Sequence, residues 1–217
     1  AEWLLGLQNG DGGIPTFCRG WGKLPFDRSS PDITAHVLLA WSAWRPSFDT
    51  AMQARLDAAT RRALAFLSHA QRSDGAWIPL WFGNQFAAAD ENPAYGTSRV
   101  LSALNVVQPA SAMAKRAEQW LLASQHPDGG WGGDRGISPS IEETSLAITA
   151  LAGVTGEPAA MAVARGAAWL IEATRSGAET PPSPIGFYFA HLRYYDLRYP
   201  TIFAVAASSP ATGSSAT

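Results

Sequence analysis

Trp3-Leu4-Leu5-Gly6-Leu7-Gln8-Asn9-Gly10-Asp11-Gly12-Gly13, Phe66-Leu67-Ser68-His69-Ala70-Gln71-Arg72-Ser73-Asp74-Gly75-Ala76-Trp77 and Trp120-Leu121-Leu122-Ala123-Ser124-Gln125-His126-Pro127-Asp128-Gly129-Gly130-Trp131 are three copies of one pattern. Each ends a run of helix-forming residues on a glutamine and then turns through glycines. A repeat of this kind fixes the architecture first, because each unit hides its apolar face only by stacking on its neighbours. The glutamines stand 63 and 54 positions apart, room for two helices and their connections. The expected fold is all-α, a partial α/α toroid built from helix pairs.

Apolar spacing outward from the repeats places the helices. Ile33, Val37, Ala40, Trp41 and Trp44 form one stripe behind Ser30 as N-cap and Pro31 at the first helical position. Leu56, Ala59, Ala63, Phe66 and Ala70 form a second, Val100, Leu101, Leu104 and Val107 a third, and Met113, Ala117, Trp120, Leu121 and Ser124 a fourth. A fifth helix starts at Ser140 with Glu143 three residues on, a capping box, and reads as buried nearly all round. A sixth covers Ala160 to Thr174, and an aromatic-rich last helix runs from Gly186 to Ala207. Alternation of amphipathic and uniformly apolar helices implies two concentric layers. Ile78 to Phe82 has strand-like composition, but Pro79 favours a loop.

The 217 residues are 47% hydrophobic, enough for one sizeable core, and the formal charge of −2 without a basic run excludes an electrostatic nucleic-acid partner. A single cysteine, Cys18, fits a reducing compartment and cannot make an internal disulfide or a multi-thiolate zinc site. No run reaches the roughly 20 apolar residues of a membrane span. The chain opens at Ala1 inside a helix-like segment, so an upstream partner helix is expected. Toroid residues 1–207 are followed by a small, polar stretch, 208–217, expected to be a disordered tail.

The repeat resembles the glutamine-tryptophan motif of squalene-hopene and oxidosqualene cyclases. A glutamine amide can bond both the loose carbonyls of one helix end and the loose N–H groups of the next helix start, with a tryptophan flat over the amide; Gln8, Gln71, Trp77, Gln125 and Trp131 are assigned this purely structural work. Further segments match the same family in order: Pro31-Asp32-Ile33-Thr34-Ala35-His36, Asp74-Gly75-Ala76-Trp77 through Trp81 to Tyr95-Gly96-Thr97, and Gly186-Phe187-Tyr188 through Tyr199-Pro200. The resemblance runs from the first residues to about Ala207. It implies the C-terminal part of a class II triterpene cyclase, which protonates a linear polyprenyl hydrocarbon and steers a carbocation cascade without metal or organic cofactor. Such enzymes sit peripherally on a membrane surface, here expected on its cytoplasmic face in hopanoid-type biosynthesis, and a homodimer is a further expectation.

The family's Asp-x-Asp-Asp acid is absent, since no two of the ten aspartates are adjacent. In relatives that motif lies just upstream of the segment matched here, so this chain alone is expected to be inactive and to need the N-terminal half of the same protein. It is also expected to be poorly soluble alone, with a lateral edge exposed. By the same resemblance, His36 bonds the acid and Asp32 orients His36. The two stand four apart, on one helix face and within mutual reach, and a protonated imidazole would strengthen the acid. An ordinary surface ion pair is the plainer reading of that spacing. Tyr95 corresponds to a tyrosine by the water that re-protonates the acid. Phe17, Trp81, Phe187 and Tyr194 would line the cavity, where aromatic faces stabilise a cation without capturing it, and Phe26 would stand at the substrate constriction; the plainer alternative is core packing. His191 replaces a tyrosine common in relatives, and a base there could end the cascade early. The first repeat carries Ile14 for its last tryptophan, a fourth near Thr174-Arg175-Ser176-Gly177 has lost its glutamine, and the Gln85–Pro93 loop is long.

Adjacent Glu142 and Glu143 could be an acid/base pair, but helix capping explains them better, and His69 and His126 read as surface residues. Two other functions fit less well. A protein prenyltransferase β-subunit would need a zinc site of aspartate, cysteine and histidine, and Cys18 has no such cluster around it. A non-catalytic toroid binding isoprenoid lipid or a protein is the alternative from a different class.

Overall fold

A computed structural model describes residues 1–16, 27–181, 183–187, 192–196 and 198–208, with backbone alone for 183–187 and 192–195. In chain order the elements are α1 (Glu2–Leu7), β1 (Ile14–Pro15), β2 (Ser29–Ser30), α2 (Pro31–Trp44), α3 (Thr50–Ala70), α4 (Pro93–Val107), α5 (Ala112–Ser124), α6 (Ile141–Ala152), α7 (Glu157–Ala173), β3 (Ser183–Phe187), β4 (Leu192–Asp196) and α8 (Arg198–Ser208). The all-α expectation holds, with two short antiparallel ribbons, β1–β2 and β3–β4, as its strand content among the described residues.

Two layers form as the patterning requires. Helices α2, α4 and α6 pack side by side, followed by α8, and α3, α5 and α7 back them from outside. The inner α4 and α6 are buried over most of their length, whereas α3, α5 and α7 each hide one stripe, such as Leu56, Ala59, Ala63 and Leu67 in α3. Helix starts follow their caps. Asp49, Asn92, Ser111 and Ser140 each accept a backbone N–H from the first turn of the helix they precede. Ser30 does not cap α2: its hydroxyl donates to Asp32 and accepts the N–H of Leu80 at 3.1 Å. Trp44, at the end of the first stripe, faces out, as do Phe86, Ile202 and Val205.

The glutamine turns work differently from the helix-end bridge expected of them. Gln8 Nε2 donates to the carbonyls of Gly12 and Ala59, Gln71 Nε2 to Gly75 and Met113, and Gln125 Nε2 to Gly129 and Ala162, all at 2.8–3.1 Å. Each amide nitrogen therefore reaches two carbonyls, one in its own turn and one on the next outer helix. The amide oxygen accepts a guanidinium N–H three residues further along that helix, from Arg62, Arg116 and Arg165 respectively. The repeat's second tryptophan ties the turn to the helix before it. Trp77 and Trp131 are fully buried and their indole N–H groups donate to Leu67 and Leu121 carbonyls at 2.8 Å, in the last turn of the preceding outer helix. Gly12, Gly75 and Gly129 have φ near +100° and lie where a Cβ would strike the carbonyls of the same three arginines.

The aromatic last helix is shorter than its sequence pattern implies. Residues 183–187 and 192–196 pair as a ribbon, Ile185 opposite Tyr194 and Phe187 opposite Leu192, and α8 begins at Arg198. Asp196 Oδ1 accepts the N–H groups of Arg198 and Tyr199, starting the helix there. Ser208 closes α8; residues 209–217 lie outside the described residues.

Candidate active site

Helices α2, α4 and α6 bring their N-terminal ends together, so residues two or three positions into each become neighbours. Asp32 comes from α2, Tyr95 from α4, and Glu142 with Glu143 from α6. Asn92, the cap of α4, ties two ends by donating to Glu143 Oε1 at 2.9 Å.

Asp32 is 0% exposed, which removes the surface ion-pair reading. Its Oδ1 accepts the Ser30 hydroxyl, while Oδ2 is buried without a hydrogen-bond partner. Burial raises its pKa, against the opposing pull of Ser30, nearby backbone N–H groups and Arg99. His36, four residues on, has an exposed side chain, and among the described residues no hydrogen bond or ion pair joins it to Asp32. The two therefore share a helix but not a contact: the carboxyl turns inward and the imidazole outward. Desolvation and then Arg99 lower the pKa of His36, which works against the protonated imidazole implied by the resemblance.

Tyr95 is 3% exposed and stacks on Phe82, ring centroids 4.7 Å apart. Burial, with the Asp32 and Glu142 charges, pushes its pKa up to about 12, against the influence of Arg99. Phe82 also stacks on Tyr199 at 6.3 Å, and Phe203 meets Tyr199 edge-on at 5.0 Å. Trp81 is buried and its indole N–H donates to Thr16 Oγ1. Phe17, Phe26 and His191 lie outside the described residues, as do the side chains of Phe187 and Tyr194. A cleft of about 840 Å³ between α6, α7 and α8 is lined by Leu170, Ile171, Thr201, Ala204 and Val205 among others, without Trp81 or Tyr95.

Glu142 and Glu143 are more than caps. Ser140 and Glu143 do form the capping box, yet both carboxyls are at most 6% exposed. Burial raises both pKa values; the charge of Glu143 adds to the rise at Glu142, and hydrogen bonds from Asn92 and Asn84 oppose it at Glu143. Arg99 is the residue that sequence reasoning missed. Its guanidinium lies 5.1 Å from the Tyr95 ring centroid and 5.0 Å from that of Phe203. A cation among Val100, Leu101 and Leu104 on an inner helix was the signal available, as were two acids opening a helix that reads as buried all round. His69 is exposed, and His126 is half-buried with its Nδ1 3.3 Å from Asp128 Oδ1. Among the described residues no group of three or more His, Cys, Asp or Glu side chains could hold a metal ion.

Residues 1–207 match the profile of the squalene-hopene cyclase C-terminal domain. This chain belongs to that family. The enfumafungin synthase efuA of Hormonema carpetanum is 30% identical over 218 residues, covering 87% of this chain and 15% of the relative. The squalene–hopene cyclase of Bradyrhizobium diazoefficiens is 30% identical over 195 residues, 78% of this chain and 27% of the relative. The chain thus spans well under a third of these two relatives. Its fold is shared with ent-copalyl diphosphate synthase from Streptomyces platensis, at a TM-score of 0.71 and 24% identity over 94% of this chain and 36% of that one. The chain is therefore a C-terminal domain of the terpene and triterpene cyclase kind.

Proposed function

We propose that this cyclase domain forms one wall of the reaction chamber in a squalene-hopene-type enzyme and supplies the surroundings of its acid. The observation that carries this reading is Asp32, wholly buried with one carboxyl oxygen free of hydrogen bonds. A buried acceptor without a partner is costly, and a catalytic carboxylic acid, or the imidazole that bonds it, would satisfy it in the assembled protein. Chemistry then begins by transfer of the acid's proton to a terminal alkene carbon of a linear polyprenyl hydrocarbon. The cation passes from ring to ring and is lost by release of a proton or capture of water. Tyr95, next to Asp32 and held neutral by its high pKa, would order the water that returns the proton. Trp81, Phe17, Phe187 and Tyr194 would face the cation, Phe26 would narrow the entry, and His191 would influence where the cascade stops.

This chain alone carries no Asp-x-Asp-Asp and would turn nothing over. The assembled enzyme would work on a membrane surface, drawing its substrate from the bilayer; no helix among the described residues is long and apolar enough to cross one. The test is to incubate the complete gene product with squalene, and in parallel with geranylgeranyl diphosphate, and to analyse products by gas chromatography and mass spectrometry. Cyclised squalene supports the reading, and conversion of the diphosphate alone moves the substrate class. No product from either overturns it in favour of a non-catalytic toroid that binds lipid or protein. Co-sedimentation with phospholipid vesicles tests the membrane assignment, and undiminished cyclisation by His36→Ala removes the role of that residue.

A further inference from the structure

We propose that Arg99 is a positioning residue of this site, keeping a fixed positive charge over the Tyr95 ring on the helix packed next to the one that carries Asp32, the task that family resemblance assigns to a protonated His36. The inference rests on the cyclase reading for its catalytic meaning and on geometry for its electrostatic one.

Arg99 sits four residues after Tyr95, one turn along α4, the helix packed between α2 and α6. Its guanidinium is held by π faces, Tyr95 on its own helix and Phe203 from α8. Such faces attract a cation without neutralising it. Its Nε is buried without a hydrogen-bond partner, and no carboxylate lies within ion-pair distance among the described residues. The charge is therefore immobilised and not cancelled by a contact.

The groups around it come from every neighbouring helix. Helix α2 offers Asp32 and His36, α4 offers Tyr95, α6 offers Glu142, with Glu143 beside it, and α8 offers the ring of Phe203. Arg99 pulls down the pKa values of Asp32, Glu142 and Tyr95 and also that of His36. Two cations near one carboxyl repel, so a permanent guanidinium disfavours the imidazolium. A guanidinium keeps its proton at every working pH, whereas an imidazole titrates near neutrality. An acid placed against this end gains strength because its conjugate base faces a charge that never leaves.

Two measurements decide the matter. In proton NMR titration of this chain, with the His36 resonance assigned by its loss in His36→Gln, Arg99→Gln raises the His36 pKa and Arg99→Lys leaves it near the parent value. An unmoved His36 in Arg99→Gln overturns the electrostatic claim. Arg99→Met, which keeps side-chain bulk against the two rings, separates charge from packing and must shift His36 the same way. In the complete gene product, Arg99→Gln and Arg99→Met each lower turnover by about tenfold or more with KM little changed, and Arg99→Lys recovers most of it. Equal turnover in all four proteins overturns the catalytic role while leaving the cyclase reading intact. If the parent product cyclises nothing, the cyclase reading fails, and the titration alone decides the electrostatic claim.

Discussion

Replacing Gln71 by methionine tests whether the amide links carry the stability of the array. The side chain keeps its length and apolar stem but loses an amide that donates to Gly75 O at 2.9 Å and Met113 O at 3.1 Å and accepts from Arg116. Two neutral bonds of about 1 kcal/mol each are lost. The exposed guanidinium contact adds less than about 1 kcal/mol because water replaces it. The expected cost is therefore about 2–3 kcal/mol, or about 5–10 °C in Tm for a chain of this size. Urea unfolding followed by tryptophan fluorescence reads it directly, because Trp77 sits beside the turn. Arg116→Ala, taken through the same assay, should cost under about 1 kcal/mol, and the double variant should cost less than the two singles together because they share one bond. A loss below about 0.5 kcal/mol for Gln71→Met would refute the reasoning, for the amide would then be exchanging equivalent bonds with water.

Gly129→Ala should destabilise by about 2–4 kcal/mol, since φ is +103° and the new Cβ would lie 2.7 Å from the Arg165 carbonyl oxygen; the urea midpoint checks it, and a neutral result would mean the turn relaxes freely. Trp131→Phe removes the indole bond to Leu121 O, which keeps the Ser124 hydroxyl as a donor at 3.1 Å, so a loss of about 1 kcal/mol is expected in the same assay. For pH, Glu142 and Glu143 have folded pKa values above the ordinary 4.5. An acid raised on folding stabilises the fold fully below its unfolded pKa, and that contribution is lost as pH rises through the folded value. Stability from this pair should thus decline from about pH 4.5 upward, and Glu142→Gln should flatten the decline; unfolding midpoints measured between acid and neutral pH will show an unchanged slope if the carboxyls are in fact ionised and well solvated.

The helices were legible because their signals are local and periodic. Ser140 with Glu143, Ser30 before Pro31 and the three glutamine turns each announce a boundary within a few residues. The arginine partners of the glutamines were not, because Arg62, Arg116 and Arg165 lie 40 to 54 positions away from them in sequence, and only the stacking of one outer helix on the next makes them neighbours. The pairing of 183–187 with 192–196 escaped for a related reason: its aromatics suit a helix face as well as a strand, and Asp196 starts the helix only at Arg198. At the site, Asp32 and Tyr95 were found through family likeness, yet their spacing along the chain says nothing of Arg99. Its importance arises from ring faces on two helices, and no linear motif encodes that.

Thr174 occupies the place where a fourth glutamine would stand, and its hydroxyl turns back on its own helix, donating to Leu170 O at 2.8 Å and accepting from Gly177 N at 3.1 Å. Strain handed from α1 to α3, α5 and α7 through successive amide–guanidinium couplings goes no further. The flank carrying β3, β4 and α8 has no amide–guanidinium coupling of its own and rests on side-chain packing instead, α8 against α6, Phe203 against Arg99 and Tyr199 against Phe82, so its place depends on apolar fit while the three coupled sectors are tied by hydrogen bonds.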